Sequence, residues 1–413
     1  MSFRNVIEGT GLTIEACADV LGVDRELFQQ WSDGQKEIPP AYAVLLAAIL
    51  GVRSEILLAK SREGSVNAGN AGPAAIWFKF RGSSFHDADR ETILLMRRLG
   101  HNANQLEKAV RGGTNRTWEI LFEEVRKGID YQAAPQEQGR EAARVFSELT
   151  QFGQGGTGCS EILRDSLRSR GILLIESPIY KSRIEGCSFY VGEGTSQRPC
   201  LFVNNYTTTW FRRNLVIMHE LGHAIFDQTN GGEIDVAEDE ATDQTLRISV
   251  SELRAQTFAK ETLLSKSILL PTLNRNRMKA ASLTPIQLAT LISETGIEQR
   301  TIVEIMLERG MIDNVLADTY LAYDVWGILK SLTDHALSTR EYINKIGKKA
   351  AAAWTNKRFT TTSARRLLLP VPYVKAVLDA VRGLSISTGR ACELLMIDQY
   401  TFSERYPEME LAE

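Results

Sequence analysis

Two histidines four residues apart, with a glutamate beside the first, are residues whose types and spacing could do chemistry. They are His219, Glu220 and His223, in the stretch RRNLVIMHELGHAIFD. On an α-helix, side chains at positions i and i+4 lie one above the other, with β-carbons about 5–6 Å apart. Both imidazoles could therefore bind one tetrahedral metal ion, for which zinc–nitrogen bonds are about 2.0–2.1 Å long.

The glutamate of this stretch suits a different role from the histidines. One helical residue beyond His219, Glu220 is rotated by about a quarter of a turn or more, so it can stand beside the metal without coordinating it. Gly222 leaves room for another element to approach closely. The pattern matches H-E-x-x-H, a zinc-peptidase signature in which the glutamate is the base. The alternative is a pair of surface histidines on an amphipathic helix.

A third metal ligand is less obvious from local pattern. Phe226 and Thr229 stand where a metzincin has Gly and His, which excludes that subclass. Glu252, on a predicted later helix, could supply a carboxylate. It also fits a capping box with Ser249, in which it would satisfy backbone N–H groups, and the pattern leaves both open. Other acidic side chains lie in the intervening loop: Glu233, Asp235, Glu238, Asp239, Glu240 and Asp243.

The elements that must position these residues are mostly helical. Short β-branched or aromatic runs, GILLIES, CSFYVG and CLFVNN, predict strands. Helical periodicity then returns before the histidines and continues through much of the remainder. The sequence therefore predicts an α+β, predominantly helical fold with a small sheet. At 413 residues the chain is long enough for two to four domains.

Composition limits the compartment and the partners. The net charge is −3, so the whole molecule has no bias towards nucleic acid or acidic membranes. Five scattered cysteines, never spaced as C-x-x-C, favour a reducing compartment and argue against a thiolate zinc site. The start of the chain lacks a secretory apolar region, and no apolar run is long enough to span a bilayer. We expect a cytoplasmic protein without a membrane partner.

Over about residues 171–313, a strand ending in VNN is followed by an arginine, by HELGH and by a later helix of the form E-x-x-A-x-x-F-A-x-E-x-L-L with a proline after it. In these features the chain resembles the ImmA/IrrE family of zinc metallopeptidases. The matching positions are Val203, Asn204, Arg213, His219, Glu220, Gly222, His223, Glu252, Ala255, Phe258, Ala259, Glu261, Leu263, Leu264 and Pro271.

The resemblance implies a zincin-like core in which His219, His223 and Glu252 hold Zn²⁺, a gluzincin-like set. Glu220 would be the catalytic base. It also implies a protein substrate, such as a helix-turn-helix transcriptional repressor, in stress, prophage or toxin–antitoxin regulation. Two departures, the long acidic loop before Glu252 and the late Pro271, bear on the substrate groove.

The amino-terminal stretch GLTIEACADVLGVDRELFQQWSDG resembles the Xre (lambda-repressor-like) helix-turn-helix family. On DNA, Arg25, Glu26, Gln29 and Gln30 would enter the major groove. The first sixty residues carry eight acidic and five basic side chains, however, and DNA affinity depends on neutralising phosphates. Protein–protein contact is therefore an equal alternative.

Residues 330–366 carry nine Lys or Arg against two acidic residues, with interspersed aromatics. Such a segment could bind nucleic acid or an acidic partner, although a solvated helix face is the more common outcome. The alternative for the whole protein is a DNA-binding regulator or antitoxin that uses the zincin-like core as a sensing or partner-binding scaffold. The predicted organisation is a helix-turn-helix (1–60), a linker (61–76), a helical block (77–152), the metallopeptidase core (153–275), a helical pair (276–315) and a basic helical region (316–413).

Overall fold

The computed structural model describes residues 23–39, 77–80, 87–112, 115–152, 159–177, 184–192, 197–206, 208–227, 250–332, 371–395 and 399–407, with a few isolated positions besides. Within these residues the chain forms fifteen α-helices and four β-strands. This is the α+β, predominantly helical fold that the sequence predicts. None of the described helices combines the length and the apolar character that crossing a bilayer requires.

The elements follow one another along the chain in two groups. Those up to the end of the sheet are α1 (Arg25–Ser32), β1 (Trp77–Phe80), α2 (Asp87–Arg111), α3 (Thr117–Lys127), α4 (Pro135–Thr150), α5 (Cys159–Ser169), β2 (Leu173–Ser177), β3 (Ile184–Val191) and β4 (Arg198–Asn204). Those beyond it are α6 (Trp210–Phe226), α7 (Val250–Leu264), α8 (Lys266–Arg275), α9 (Pro285–Thr295), α10 (Gln299–Glu308), α11 (Asn314–Leu321), α12 (Val325–Leu332), α13 (Val371–Arg382), α14 (Thr388–Leu395) and α15 (Gln399–Arg405).

The four strands form one mixed sheet in the order β1-β3-β4-β2. β3 pairs antiparallel with both β1 and β4, whereas β2 runs parallel to β4. Strands β2, β3 and β4 lie in the three runs that the sequence predicts as strands. The helical block predicted for 77–152 is wrong over its first four residues, which form β1. β1 is stabilised by pairing with β3, in which Trp77 lies opposite Ser188. The two residues are more than a hundred positions apart in the chain, so local periodicity cannot reveal their pairing.

Helices cover both faces of this sheet. On one face, Met96 of α2 contacts Cys187 of β3, with their sulfur atoms 3.2 Å apart. On the other face, Val216 of α6 packs against Gly186, where a β-carbon would lie only 2.5 Å from its Cγ1. Successive residues of a strand point to opposite faces, so these two contacts place α2 and α6 on opposite sides of β3.

One hydrophobic core runs through most of the described chain. It contains buried side chains from Trp118 on α3 to Leu329 on α12, including those of α4, α6, α7, α9 and α10. The predicted boundaries after residues 152, 275 and 315 therefore pass through a single core. Helices α13, α14 and α15 pack around a second core with Leu106 of α2. The predicted linker at 61–76 and residues 333–366 of the basic segment lie outside the described residues.

Candidate metal centre

Helix α6 carries both histidines and is held firmly at its start. Thr209 caps it, because its hydroxyl accepts a hydrogen bond from the backbone N–H of Arg212 at 3.3 Å. The Arg212 guanidinium forms ion pairs with Glu185 of β3 at 2.8 Å and with Glu298 at 2.6 Å. From Asn214 to Phe226 every residue of the helix is buried. The helix is therefore a core element, which excludes a pair of exposed surface histidines.

Three predicted ligands meet at one point. The Nε2 atoms of His219 and His223 are 3.1 Å apart. The carboxylate of Glu252 lies across from both, with Oε2 at 3.3 Å from His219 Nε2 and Oε1 at 3.1 Å from His223 Nε2. Among the described residues, these three side chains are the group whose ligand atoms could hold one metal ion.

The spacing of these atoms fits a tetrahedral metal. With metal–nitrogen bonds of about 2.0–2.1 Å and tetrahedral angles, ligand atoms should be about 3.3 Å apart. The observed separations of 3.1–3.3 Å agree with that value. Two imidazoles and one carboxylate are also the donor set of several hydrolytic metal sites. The residues present therefore fit a metal, and Glu252 points its carboxylate at the imidazoles as a ligand would.

Burial and hydrogen bonds determine the protonation of two of these side chains, Glu252 and His223. Burial raises the pKa of Glu252, but hydrogen bonds with His219 and His223 outweigh it and hold the pKa well below its usual range. Burial lowers the pKa of His223, but hydrogen bonds to Asp227 and Glu252 outweigh it and raise the pKa to about 9. Glu252 is thus the anionic carboxylate that metals require, and a metal would displace a proton from His223.

Glu220 lies beside the ligands on the buried side of α6. It is fully buried, and a β-carbon at Gly186 of β3 would lie 3.1 Å from its Cγ. His219 and His223 are also buried, whereas the side chain of Glu252 is 37% exposed. Solvent and any substrate would therefore reach the centre from the side of Glu252.

A comparison with protein families bears directly on this centre. Residues 167–294 match the Peptidase_M78 family model, the IrrE N-terminal-like domain. The match supports a metallopeptidase of the ImmA/IrrE type. The histidines, Glu220 and Glu252 all fall inside the matched residues, which we call the IrrE-like domain. Searches of curated proteins and of solved structures each found no match to this chain.

Within the IrrE-like domain, the position of Glu252, the predicted third ligand, depends on close packing of α7 against α6. A β-carbon at Gly222 would lie 3.1 Å from Cα and 3.2 Å from Cβ of Ala255, and 3.3 Å from the Phe258 ring. Gly222 sits between the two histidines, and Ala255 lies one turn beyond Glu252. Small residues at this crossing therefore bring the carboxylate to the imidazoles.

We expect Gly222→Val to force α7 away from α6, because the neighbouring atom is helix backbone and cannot rotate aside. The substitution should lower the free energy of unfolding by about 1–3 kcal/mol, as overpacked cores do, and should reduce the amount of metal that the protein binds. Urea denaturation and elemental analysis would measure the two effects. Gly389→Val in α14 is the matched control, since a β-carbon there meets only Ser387 Oγ at 4.0 Å. Equal effects of both changes would contradict this account of Gly222.

Asp227 is a residue of this centre that the sequence analysis missed. Its Oδ2 lies 2.8 Å from Nδ1 of His223, the ring nitrogen that faces away from Glu252. A carboxylate at this position is typical of metal sites, where it orients the ligating imidazole. Helical spacing could have identified Asp227, because it follows His223 by the same four residues that separate the two histidines.

Other predicted candidates fall elsewhere. The acidic loop residues Glu233, Asp235, Glu238, Asp239, Glu240 and Asp243 lie outside the described residues, as does Ser249, the proposed capping partner.

The amino-terminal candidates lie on α1, which begins at Arg25. Asp24 caps this helix through Oδ1, which accepts from the backbone N–H of Glu26 at 3.0 Å. Arg25 and Glu26 are exposed and Gln30 is half-buried, whereas Gln29 donates a hydrogen bond to Asp33 at 2.8 Å. The preceding helix of the helix-turn-helix lies largely outside the described residues, so DNA binding by these residues stays a prediction.

Proposed function

We propose that this protein is a zinc-dependent endopeptidase in which His219, His223 and Glu252 hold Zn²⁺ and Glu220 is the catalytic base. The observation that carries the proposal is the convergence of two imidazoles and one carboxylate at tetrahedral spacing beside a buried glutamate. The match of residues 167–294 to a metallopeptidase family supports it independently.

Each side chain has a defined task in peptide hydrolysis. Zinc, when bound, supplies a Lewis acid that polarises the scissile carbonyl and acidifies water at the site. Glu220 takes a proton from the attacking water as the new carbon–oxygen bond forms. It then delivers that proton to the amide nitrogen as the carbon–nitrogen bond breaks. The burial of Glu220 keeps its carboxylate away from bulk water, which favours proton transfer within the site.

We propose a protein as the substrate, namely a helix-turn-helix transcriptional repressor whose cleavage switches on genes in a stress, prophage or toxin–antitoxin setting. The resemblance to the ImmA/IrrE family supports this choice. The partial exposure of Glu252 supports access by an extended segment of another chain, since the rest of the centre is buried.

Removing the metal tests the proposal. We expect the purified protein to contain zinc and to lose cleavage of its substrate after dialysis against a chelator. Stoichiometric zinc should restore cleavage, whereas magnesium, which prefers oxygen ligands, should not. Helix-turn-helix regulators from the protein's own genome would be added one at a time, and new N termini would be read by mass spectrometry. Full cleavage by a protein shown to be metal-free would contradict the proposal.

A further inference from the structure

A second set of buried polar contacts lies directly behind the metal ligands. Asp227, at the end of α6, uses one carboxylate oxygen for His223 and the other for the guanidinium of Arg254 on α7. The side chains of Asp227 and Arg254 are only 6% and 12% exposed. A carboxylate paired with arginine only accepts hydrogen bonds, so His223 must donate through Nδ1. The proton that a metal would displace is then the one on Nε2, the ring nitrogen that faces Glu252.

Arg254 joins this pair to a helix outside the IrrE-like domain. Its Nη1 donates a hydrogen bond to Oε1 of Gln138, on α4, at 3.0 Å. Its guanidinium also lies over the Phe226 ring, 4.9 Å from the centroid. A single side chain of α7 therefore contacts the last turn of α6 and the first turns of α4. Because α7 also carries Glu252, these contacts fix the helix that supplies the third ligand.

Gln138 is itself held in place. Its Nε2 donates hydrogen bonds to the backbone carbonyls of Ala133 at 2.8 Å and Tyr131 at 3.2 Å. The next residue, Gly139, allows α4 to touch α7, because a β-carbon there would lie 2.7 Å from the carbonyl oxygen of Arg254. The amide that receives Arg254 is thus fixed by a turn and by close helix packing. It can define the position of the guanidinium.

We propose that Asp227, Arg254 and Gln138 form a positioning network for the metal centre, so that α4 is a functional part of the site. Asp227 orients His223, Arg254 orients Asp227 and holds α7 beside α6, and Gln138 orients Arg254. The inference rests on the proposed metal site. It goes beyond the family match, because the match begins at residue 167 and α4 ends before it.

If the network positions the metal ligands, replacing its members should weaken zinc binding even when no substrate is present. Outer-shell partners of metal ligands typically contribute about 10–100-fold in affinity. We expect Asp227→Asn to weaken zinc binding by about 10–100-fold, and Arg254→Met by about 10-fold. Gln138→Leu, one step further from the metal, should have a smaller effect in the same direction.

Zinc dissociation constants of the full-length variants would be measured by competition with a chromophoric chelator. If Arg254 acts through Asp227, the double variant Asp227→Asn/Arg254→Met should lose less affinity than the product of the two single losses. The visible spectrum of the cobalt-substituted protein should change in Asp227→Asn, because it reports ligand geometry. Arg254→Lys keeps the charge but cannot donate hydrogen bonds to Asp227 and Gln138 together. Its zinc affinity should therefore lie between those of wild type and Arg254→Met.

Arg309→Met is the matched control. Arg309 also holds α7 through a partly buried ion pair, at 2.9 Å to Glu261, and through the Leu264 carbonyl, but at the far end of the helix. We expect this variant to bind zinc like wild type. An equal loss in Arg309→Met, or wild-type affinity in Asp227→Asn, Arg254→Met and Gln138→Leu, would overturn the network. A wild-type protein that binds no zinc would instead overturn the proposed function, and this inference with it.

Discussion

Replacing Glu220 with glutamine should slow peptide hydrolysis by about 10²–10⁴-fold, the usual contribution of a general base. Glutamine has nearly the same shape, so it should fit the fully buried position against β3. Its neutral amide cannot take a proton from water. The rate would be measured as cleavage of the identified substrate under single-turnover conditions, which separates chemistry from product release.

Two measurements make the Glu220→Gln result specific. Zinc content should stay at the wild-type level, because Glu220 lies beside the ligands and is not one of them. Glu261→Gln on α7 makes the same chemical change at a partly buried ion pair away from the centre, and it should leave the rate unchanged. A Glu220→Gln protein as active as wild type would remove Glu220 from the mechanism.

Replacing Glu252 with alanine should remove most of the bound zinc. In the proposed site this carboxylate supplies one of three protein ligands, so its removal should weaken zinc binding by more than the about 100-fold upper limit typical of outer-shell residues. Elemental analysis after dialysis would report zinc per chain, beside His219→Ala as a positive control. Retention of zinc by Glu252→Ala, with loss in His219→Ala, would show that another group is the third ligand.

Glu252→Gln distinguishes the two roles that the sequence leaves open for this residue. Glutamine serves a capping box as well as glutamate does, so a capping role predicts unchanged stability and unchanged zinc. Metal binding requires the anionic carboxylate, so a ligand role predicts zinc loss in Glu252→Gln and Glu252→Ala alike. Both carboxylate oxygens lie within 3.3 Å of imidazole nitrogens, and we therefore expect the second outcome.

The parts of the centre that lie on one helix could be predicted from sequence. His219 and His223 are related by helical spacing alone, and Asp227 could have been found by the same rule. Glu252 is different, because its approach to the histidines depends on the packing of α7 on α6. Local pattern fits capping equally well, and only the family resemblance favoured the ligand. Arg254 and Gln138 meet across 116 residues, so no local pattern brings them together.

The fold shows the same limit. Three strands were predicted because β-branched and aromatic residues stand between turn signals. β1 was missed because WFKF is short and its stabilising partner lies far along the chain. The helices were predicted as separate blocks because helical periodicity reports a buried face without reporting what covers it. Trp118 and Leu329 belong to one core because tertiary packing brings their helices together, and local sequence does not report that packing.

The separate core around α13, α14 and α15 affects which parts of the protein unfold locally. Leu106 of α2 belongs to that core, whereas α6 and α7 belong to the larger one. Local unfolding follows such cooperative units, so we expect the carboxyl-terminal helices to open by losing their own core and their hydrogen bonds to Asn102 and Gln105 of α2. Amide protons there could exchange with solvent while the histidine-bearing helix stays closed. Local opening at that end of the chain would therefore leave His219, His223 and Glu252 in their relative positions.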